Sequence, residues 1–177
     1  MRLALLALLT LTFFGSTSYA ADSTRSLESG LILSFIPKGA TEPLGTIVDT
    51  NSNFKADSFR KEPALERFAN NPHWLRWEGF YNVKKTGKYM FAFSGASRYS
   101  DCRFEAIIAS QKLFTVEGIK FQSGFGHKVL NLEQGAHKFE ATLKCNDYRG
   151  AYAQIDVKRP GSRVIGKINQ GEFLYRK

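Results

Sequence analysis

The residues best equipped for recognition chemistry stand beside the two cysteines. Arg98-Tyr99-Ser100-Asp101 runs directly into Cys102, and Asn146-Asp147-Tyr148-Arg149 follows directly on Cys145. Tyrosine offers a flat apolar face with a polar tip. Arginine offers a planar fork that pairs with carboxylate, sulfate or phosphate. Together Arg98, Tyr99, Asp101, Asn146, Asp147, Tyr148 and Arg149 suit a glycan, an acidic one in particular. The plain alternative is that they are turn residues, since Asp and Asn favour turns for local backbone reasons. A joint site needs both segments at the same place. A Cys102–Cys145 disulfide would put them there, because bridged Cα atoms lie about 5.5 Å apart.

No catalytic signature competes with this reading. The sequence has neither Gly-x-Ser-x-Gly nor His-Glu-x-x-His. His73, His127 and His137 show no metal-ligand spacing relative to one another or to the cysteines. Gly124-Phe125-Gly126 reads as a turn and lacks the strand–helix context of a phosphate loop. Glu78, Glu105 and Glu140 fall on strand patterns where solvent-facing charge is ordinary. Trp77 fits a core strand, whereas Trp74, close to Pro72, is more open and is a candidate sugar platform. A catalytic function is therefore not expected.

The disulfide depends on the compartment. Arg2, the apolar run 3–14 and Ser18-Tyr19-Ala20 have the layout of a signal peptide, with cleavage expected after Ala20. The apolar run is shorter than the roughly 20 residues that span a bilayer, so no transmembrane anchor is expected. The expected organisation is a signal peptide over 1–20 and a single domain over 21–177, secreted, periplasmic or on the cell surface. In such a compartment the cysteines, 43 positions apart, should pair rather than remain free thiols. The net charge is +9. For an exported chain that favours anionic glycans, lipopolysaccharide or an acidic protein over nucleic acid. The basic residues look spread out, with short doublets at Lys84-Lys85 and Lys158-Arg159.

Positioning these residues falls to strands. With 43% apolar residues the 177-residue chain can build a packed core. Phe139, Ala141, Leu143 and Cys145 share one face of 137–145. Cys102, Phe104, Ala106 and Ile108 share one face of 102–108, and Ala151, Ala153, Ile155 and Val157 one face of 151–158. This period-two alternation predicts half-buried antiparallel strands and puts both cysteines on core faces. The stretch 89–93 reads as a central strand entered through Thr86-Gly87, and 31–36 as an opening strand ended by Pro37. Loop 146–150 has hairpin length, and Glu133-Gln134-Gly135 is a turn. Between 38 and 71 the composition predicts irregular structure and one short helix near 63–70, with Pro63 at its first position. The expected fold is all-β, an antiparallel β-sandwich or barrel with a short helix in the N-terminal third.

In order along the chain, several motifs resemble the protective-antigen β-barrel family, a module found in toxins, adhesins and glycosidases. They are Gly30-Leu31 with Phe35; Arg76-Trp77-Glu78-Gly79-Phe80; Thr86-Gly87-Lys88-Tyr89-Met90-Phe91; Gly135-Ala136-His137; Pro160-Gly161; and Phe173-Leu174-Tyr175. The resemblance implies an exported β-barrel that binds carbohydrate. In sugar-binding members two adjacent aspartates after the Tyr-x-Phe strand hold calcium; here that place reads Ser100-Asp101. Calcium, if used, would rest on Asp101 and Asp147. The functional expectation is a non-catalytic carbohydrate-binding module acting through loops 96–101 and 146–150. The alternative is a structural or protein-interaction component of a periplasmic or surface appendage or secretion assembly, with another exported protein as partner.

Overall fold

The computed structural model describes residues 26–50, 53–55, 73–97, 101–118, 126–146, 151–169 and 171–177. The region 1–25, where the signal peptide is expected, and 63–70, where the short helix is expected, lie outside them. Among the described residues there are thirteen strands and no helix.

Two antiparallel sheets form a sandwich, not a closed barrel. The larger contains β1 (Leu27–Ser29), β2 (Leu31–Pro37), β3 (Gly45–Asp49), β5 (His73–Val83), β7 (Cys102–Ile108), β8 (Gln111–Glu117), β10 (Gly135–Cys145) and β13 (Phe173–Arg176). The smaller contains β4 (Asn53–Lys55), β6 (Gly87–Ala96), β9 (Gly126–Leu132), β11 (Tyr152–Lys158) and β12 (Gly166–Lys167). In the larger sheet β10 is central, pairing with β5 on one side and β7 on the other. The far edge of β5 is shared, by β2 along its first half and by β13 near its end.

The inner faces are those the alternation predicts. Phe139, Ala141 and Leu143 of β10, Phe104, Ala106 and Ile108 of β7, and Ala153, Ile155 and Val157 of β11 are all buried. Aromatic rings join the two layers. Phe54 of β4 packs edge-on to Trp77 of β5 at 5.1 Å and also meets Phe104 and Phe139. Phe93 of β6 stacks on Phe104 at 5.3 Å, and Tyr81 of β5 meets Phe91 of β6 at 5.6 Å. The buried indole Nε1 of Trp77 donates to Asp49 Oδ2 at 2.8 Å. That bond satisfies a polar atom that would otherwise weaken the core.

Two expectations need correction. The stretch from 38 is not simply irregular, because it holds β3 and β4, and Phe54 lies at the centre of the core. Loop 146–150 does not close a hairpin: β10 and β11 lie in different sheets, so the chain crosses the sandwich there. The expected turn at Glu133-Gln134-Gly135 is present, and it too joins strands of different sheets, β9 and β10. The tightest hairpin among the described residues, β7 to β8, turns on Ala109 and Ser110, both at positive φ (49° and 61°). Such a two-residue turn normally carries Gly or Asn, so β8 has no local signal in the sequence.

Gly79 of the Trp77-Glu78-Gly79 motif has a steric cause. It sits where the far edge of β5 changes partner from β2 to β13. A Cβ there would collide with the carbonyl oxygen of Leu174 and come within 2.8 Å of Leu31 Cδ2. We expect Gly79→Ala to cost about 1–3 kcal/mol by forcing β13 away, read as a lower midpoint in urea unfolding with an unchanged slope.

Cys102 and Cys145 are directly opposed across β7 and β10 and form a disulfide, with Cα atoms 4.3 Å apart and a sequence separation of 43. Closing a loop of that length restricts the unfolded chain. Cys102→Ser with Cys145→Ser should therefore cost about 4 kcal/mol in the chain-entropy description, measured by denaturant unfolding against the oxidised protein.

Candidate functional site

The disulfide marks one end of the larger sheet. Stepping one residue along β10 from Cys145 gives Lys144, whose side chain points to the opposite, outer face. The register places Trp74 of β5 beside Lys144, Arg103 of β7 on its other side, and Glu117 of β8 beyond Arg103. One residue from each of four adjacent strands thus forms a transverse row: indole, ammonium, guanidinium, carboxylate. The alternation that buries the cysteines forces their neighbours outward, so the row follows from the clip.

The row borders an open groove of about 350 Å³. Lys38, just beyond β2, also lines it, as do Asp101 and Asn146 from the two cysteine-flanking segments. The ammonium of Lys144 lies 3.8 Å from the centre of the Trp74 ring, a cation–π contact. Arg103 Nη2 donates to Glu105 Oε1 at 2.6 Å, and its Nη1 to Glu117 Oε2 at 3.3 Å. The guanidinium is thereby held in a fixed plane at the groove's edge.

These contacts reinforce the charges. The hydrogen bond from Arg103 holds the Glu105 carboxyl below the usual glutamate range, against the opposing effect of partial burial. In turn the bond to Glu105, followed by its charge and that of Glu117, favours the charged form of Arg103 further. A glutamate shifted this way stabilises the fold above its unfolded-state pKa, and the contribution is lost as pH falls through the lower, folded-state value.

Of the seven residues the sequence points to, Asp101 and Asn146 are described, and they do come together on one groove. Arg98, Tyr99, Asp147, Tyr148 and Arg149 lie outside the described residues. The groove adds Lys38, Arg103, Glu117 and Lys144, which sequence reasoning missed. Arg103 and Lys144 were legible only as solvent-facing strand residues, although their places next to the cysteines tie them to this end of the sheet. Trp74 was recognised as the more open tryptophan.

The calcium expectation rests on Asp101 and Asp147, and Asp147 lies outside the described residues. Lys38, Arg103 and Lys144 dominate the surroundings of Asp101, whereas calcium favours six to eight oxygens, charged ones especially. Among the described residues no three His, Cys, Asp or Glu side chains converge to hold a metal. His137 lies at the opposite end of β10, with Nε2 2.7 Å from the Glu133 carbonyl oxygen.

No family model matches the sequence, and no curated protein matches it. Solved structures do match by fold. The PA14 domain of the MpAFP antifreeze protein superposes with a TM-score of 0.57 at 12% identity, covering 85% of this chain and 92% of that one. The epithelial adhesin 9 A domain from Candida glabrata, solved in complex with Galβ1-4GlcNAc, gives 0.56 at 12% identity, covering 85% and 91%. An anti-sigma factor domain-containing protein from Clostridium clariflavum gives 0.60 at 17% identity, and the chain spans about half its length, 47%. At these identities the likeness is one of fold: a PA14-like antiparallel sandwich.

An NMR pH titration should place the Glu105 carboxyl midpoint below that of an ordinary glutamate, and Arg103→Ala should bring it back up. An unshifted Glu105 in the parent protein would contradict the row's geometry.

Proposed function

We propose that this chain is an exported, non-catalytic binding module that recognises acidic carbohydrate in the groove at the disulfide end of the sandwich. The observation that carries the reading is the transverse row of Trp74, Lys144 and Arg103 beside that groove. It combines an aromatic ring with two cations side by side on three adjacent strands. A sugar carboxylate or sulfate pairs with the Arg103 fork and the Lys144 or Lys38 ammonium. The apolar face of the ring packs near the indole. Asp101 and Asn146 accept and donate to hydroxyls. Arg98 and Tyr99, which precede Asp101 in sequence, and Asp147, Tyr148 and Arg149, which follow Asn146, lie outside the described residues and are carried in the proposal as further candidate contacts.

The fold likeness lends support, since the adhesin 9 A domain that shares it was solved with Galβ1-4GlcNAc. Signal-directed export followed by cleavage near Ala20 places the module outside the cytoplasm, secreted, periplasmic or on the cell surface, consistent with a disulfide. Among the described residues no helix is long and apolar enough to cross a membrane. Recognition here is direct, through cations, rather than through a calcium ion bound by Asp101 and Asp147.

A second reading is a protein-interaction component of a surface or periplasmic assembly. It draws on β3, which among the described residues pairs only with β2 and exposes Leu44 beside it and Val48 on it. A free edge of this kind accepts an added strand.

Calorimetric titration with sulfated or uronic-acid oligosaccharides, against neutral counterparts, separates these. We expect binding of the acidic sugars alone, weakened about tenfold or more by Trp74→Ala and by Lys144→Gln, with the melting temperature maintained. Tyr99→Ala with Tyr148→Ala should also weaken it, and a chelator should leave it unchanged. Loss of binding on chelation would restore calcium, and equal binding by both single variants would reject the groove. Stoichiometric capture of one exported protein, abolished by a proline in β3, would favour the second reading.

A further inference from the structure

The two basic doublets that look isolated in the sequence meet in the fold, at the end of the sandwich opposite the disulfide. Lys84-Lys85 occupy the turn leaving β5, and β6 starts at Gly87. A Cβ on Gly87 would lie 2.9 Å from Pro160 Cγ, so this turn abuts the segment that follows Lys158-Arg159. On the outer face of the smaller sheet, Met90 of β6 is flanked by Val129 of β9 and Lys158 of β11. Lys88 lies two residues before Met90 on the same face. Lys88, Met90, Val129, Lys158, Pro160 and Ser162 line a shallow groove of about 380 Å³.

The nearby carboxylates leave most of this charge unbalanced. Glu172 is taken by Arg159, whose Nε donates to Oε1 at 2.8 Å and whose Nη2 donates to Oε2. Asp156 accepts from Gln154 Nε2 at 2.7 Å and stands opposite Lys167 across β11 and β12. Glu133 belongs to the turn whose Gln134 N–H donates to Thr86 Oγ1. Among the described residues, Lys84, Lys85, Lys88, Lys158 and Arg163 form no ion pair. On the larger sheet, by contrast, Arg76 and Arg103 each pair along their own strand, with Glu78 and Glu105.

Apolar groups protrude beside this cationic field. Val164 is 71% exposed and Ile165 46%, on the turn between β11 and β12. The Ser162 hydroxyl donates to the Val164 carbonyl and accepts from its N–H, which fixes these aliphatic side chains at the edge of the groove. Val129 is itself 43% exposed.

We propose that this end of the molecule docks on an anionic lipid surface. Lys84, Lys85, Lys88, Lys158 and Arg163 meet the phosphate groups, while Val164 and Ile165 enter the headgroup boundary. Two projecting aliphatic side chains need no matching cavity in a fluid interface, and cations around them add attraction to anionic headgroups. An acidic protein would satisfy the charges but would leave the convex Val164-Ile165 turn to find a complementary pocket. With the sugar groove at the opposite end, a docked molecule presents that groove away from the bilayer.

The test is flotation of the mature protein with vesicles of phosphatidylcholine alone and of phosphatidylcholine mixed with phosphatidylglycerol. Binding is expected only to the anionic vesicles and should fall as salt rises. Lys88→Glu with Lys158→Glu should reduce it about tenfold or more. Val164→Ser with Ile165→Ser should weaken it several-fold while circular dichroism and melting stay as in the parent. Trp74→Ala should bind vesicles normally, which keeps this result independent of the sugar site. No binding to anionic vesicles, or binding indifferent to both variants, overturns the proposal. So does loss in the lysine variant alone with equally tight binding of poly-glutamate, which would identify an acidic protein as the partner.

Discussion

The placement of β10 between β5 and β7 is the constraint on which the molecule depends. It pairs over ten residues with β5 and over seven with β7. Its side chains alternate, so a single register decides that Phe139, Ala141 and Leu143 enter the core while Lys138, Glu140, Thr142 and Lys144 leave it. A slip of one residue would exchange the two sets and put charge against Phe54 and Trp77. The disulfide closes the strand's last pair, Cys145 with Cys102, and excludes such a slip at the end where it would matter most.

The same constraint builds the groove. Lys144 faces out because Cys145 faces in, and Trp74 and Arg103 lie beside it because they are its register partners. The cation–π contact and the Arg103–Glu105–Glu117 pairs then limit where these side chains can move. None of these exposed contacts stabilises the protein much. Their consequence is orientation, since a guanidinium held in a plane presents the same donors to every ligand.

The two faces of the sandwich divide the charge unequally. On the larger sheet, Arg76 with Glu78 and Arg103 with Glu105 pair along their own strands, and Lys38 and Lys144 add cations at the disulfide end. On the smaller sheet the cations come from separate parts of the chain, and the carboxylates near them are partly engaged elsewhere. The overall charge of +9 is thus less informative than its distribution, which follows from strand order and from the crossings at the turns.

The sequence by itself determined which residues of β7, β10 and β11 are buried. Apolar alternation in β7, β10 and β11 is a local property of the chain, and any antiparallel sheet with one wet face must obey it. The expectation of export and two core-facing cysteines were enough to predict the Cys102–Cys145 pair. Other features were decided only by tertiary structure, because they depend on neighbours distant along the chain. β4 is three residues long in a polar stretch, and only contact with Trp77, Phe104 and Phe139 gives Phe54 its place. β8 follows a turn through Ala109 and Ser110 that carries none of the usual residues. Loop 146–150 has hairpin length, yet it crosses between sheets, since β5 and β7 already occupy both sides of β10. For the same reason the row of Trp74, Lys144 and Arg103 and the meeting of the two lysine-containing doublets could not be read locally. Each is a property of register and strand order, which spacing along one strand does not contain.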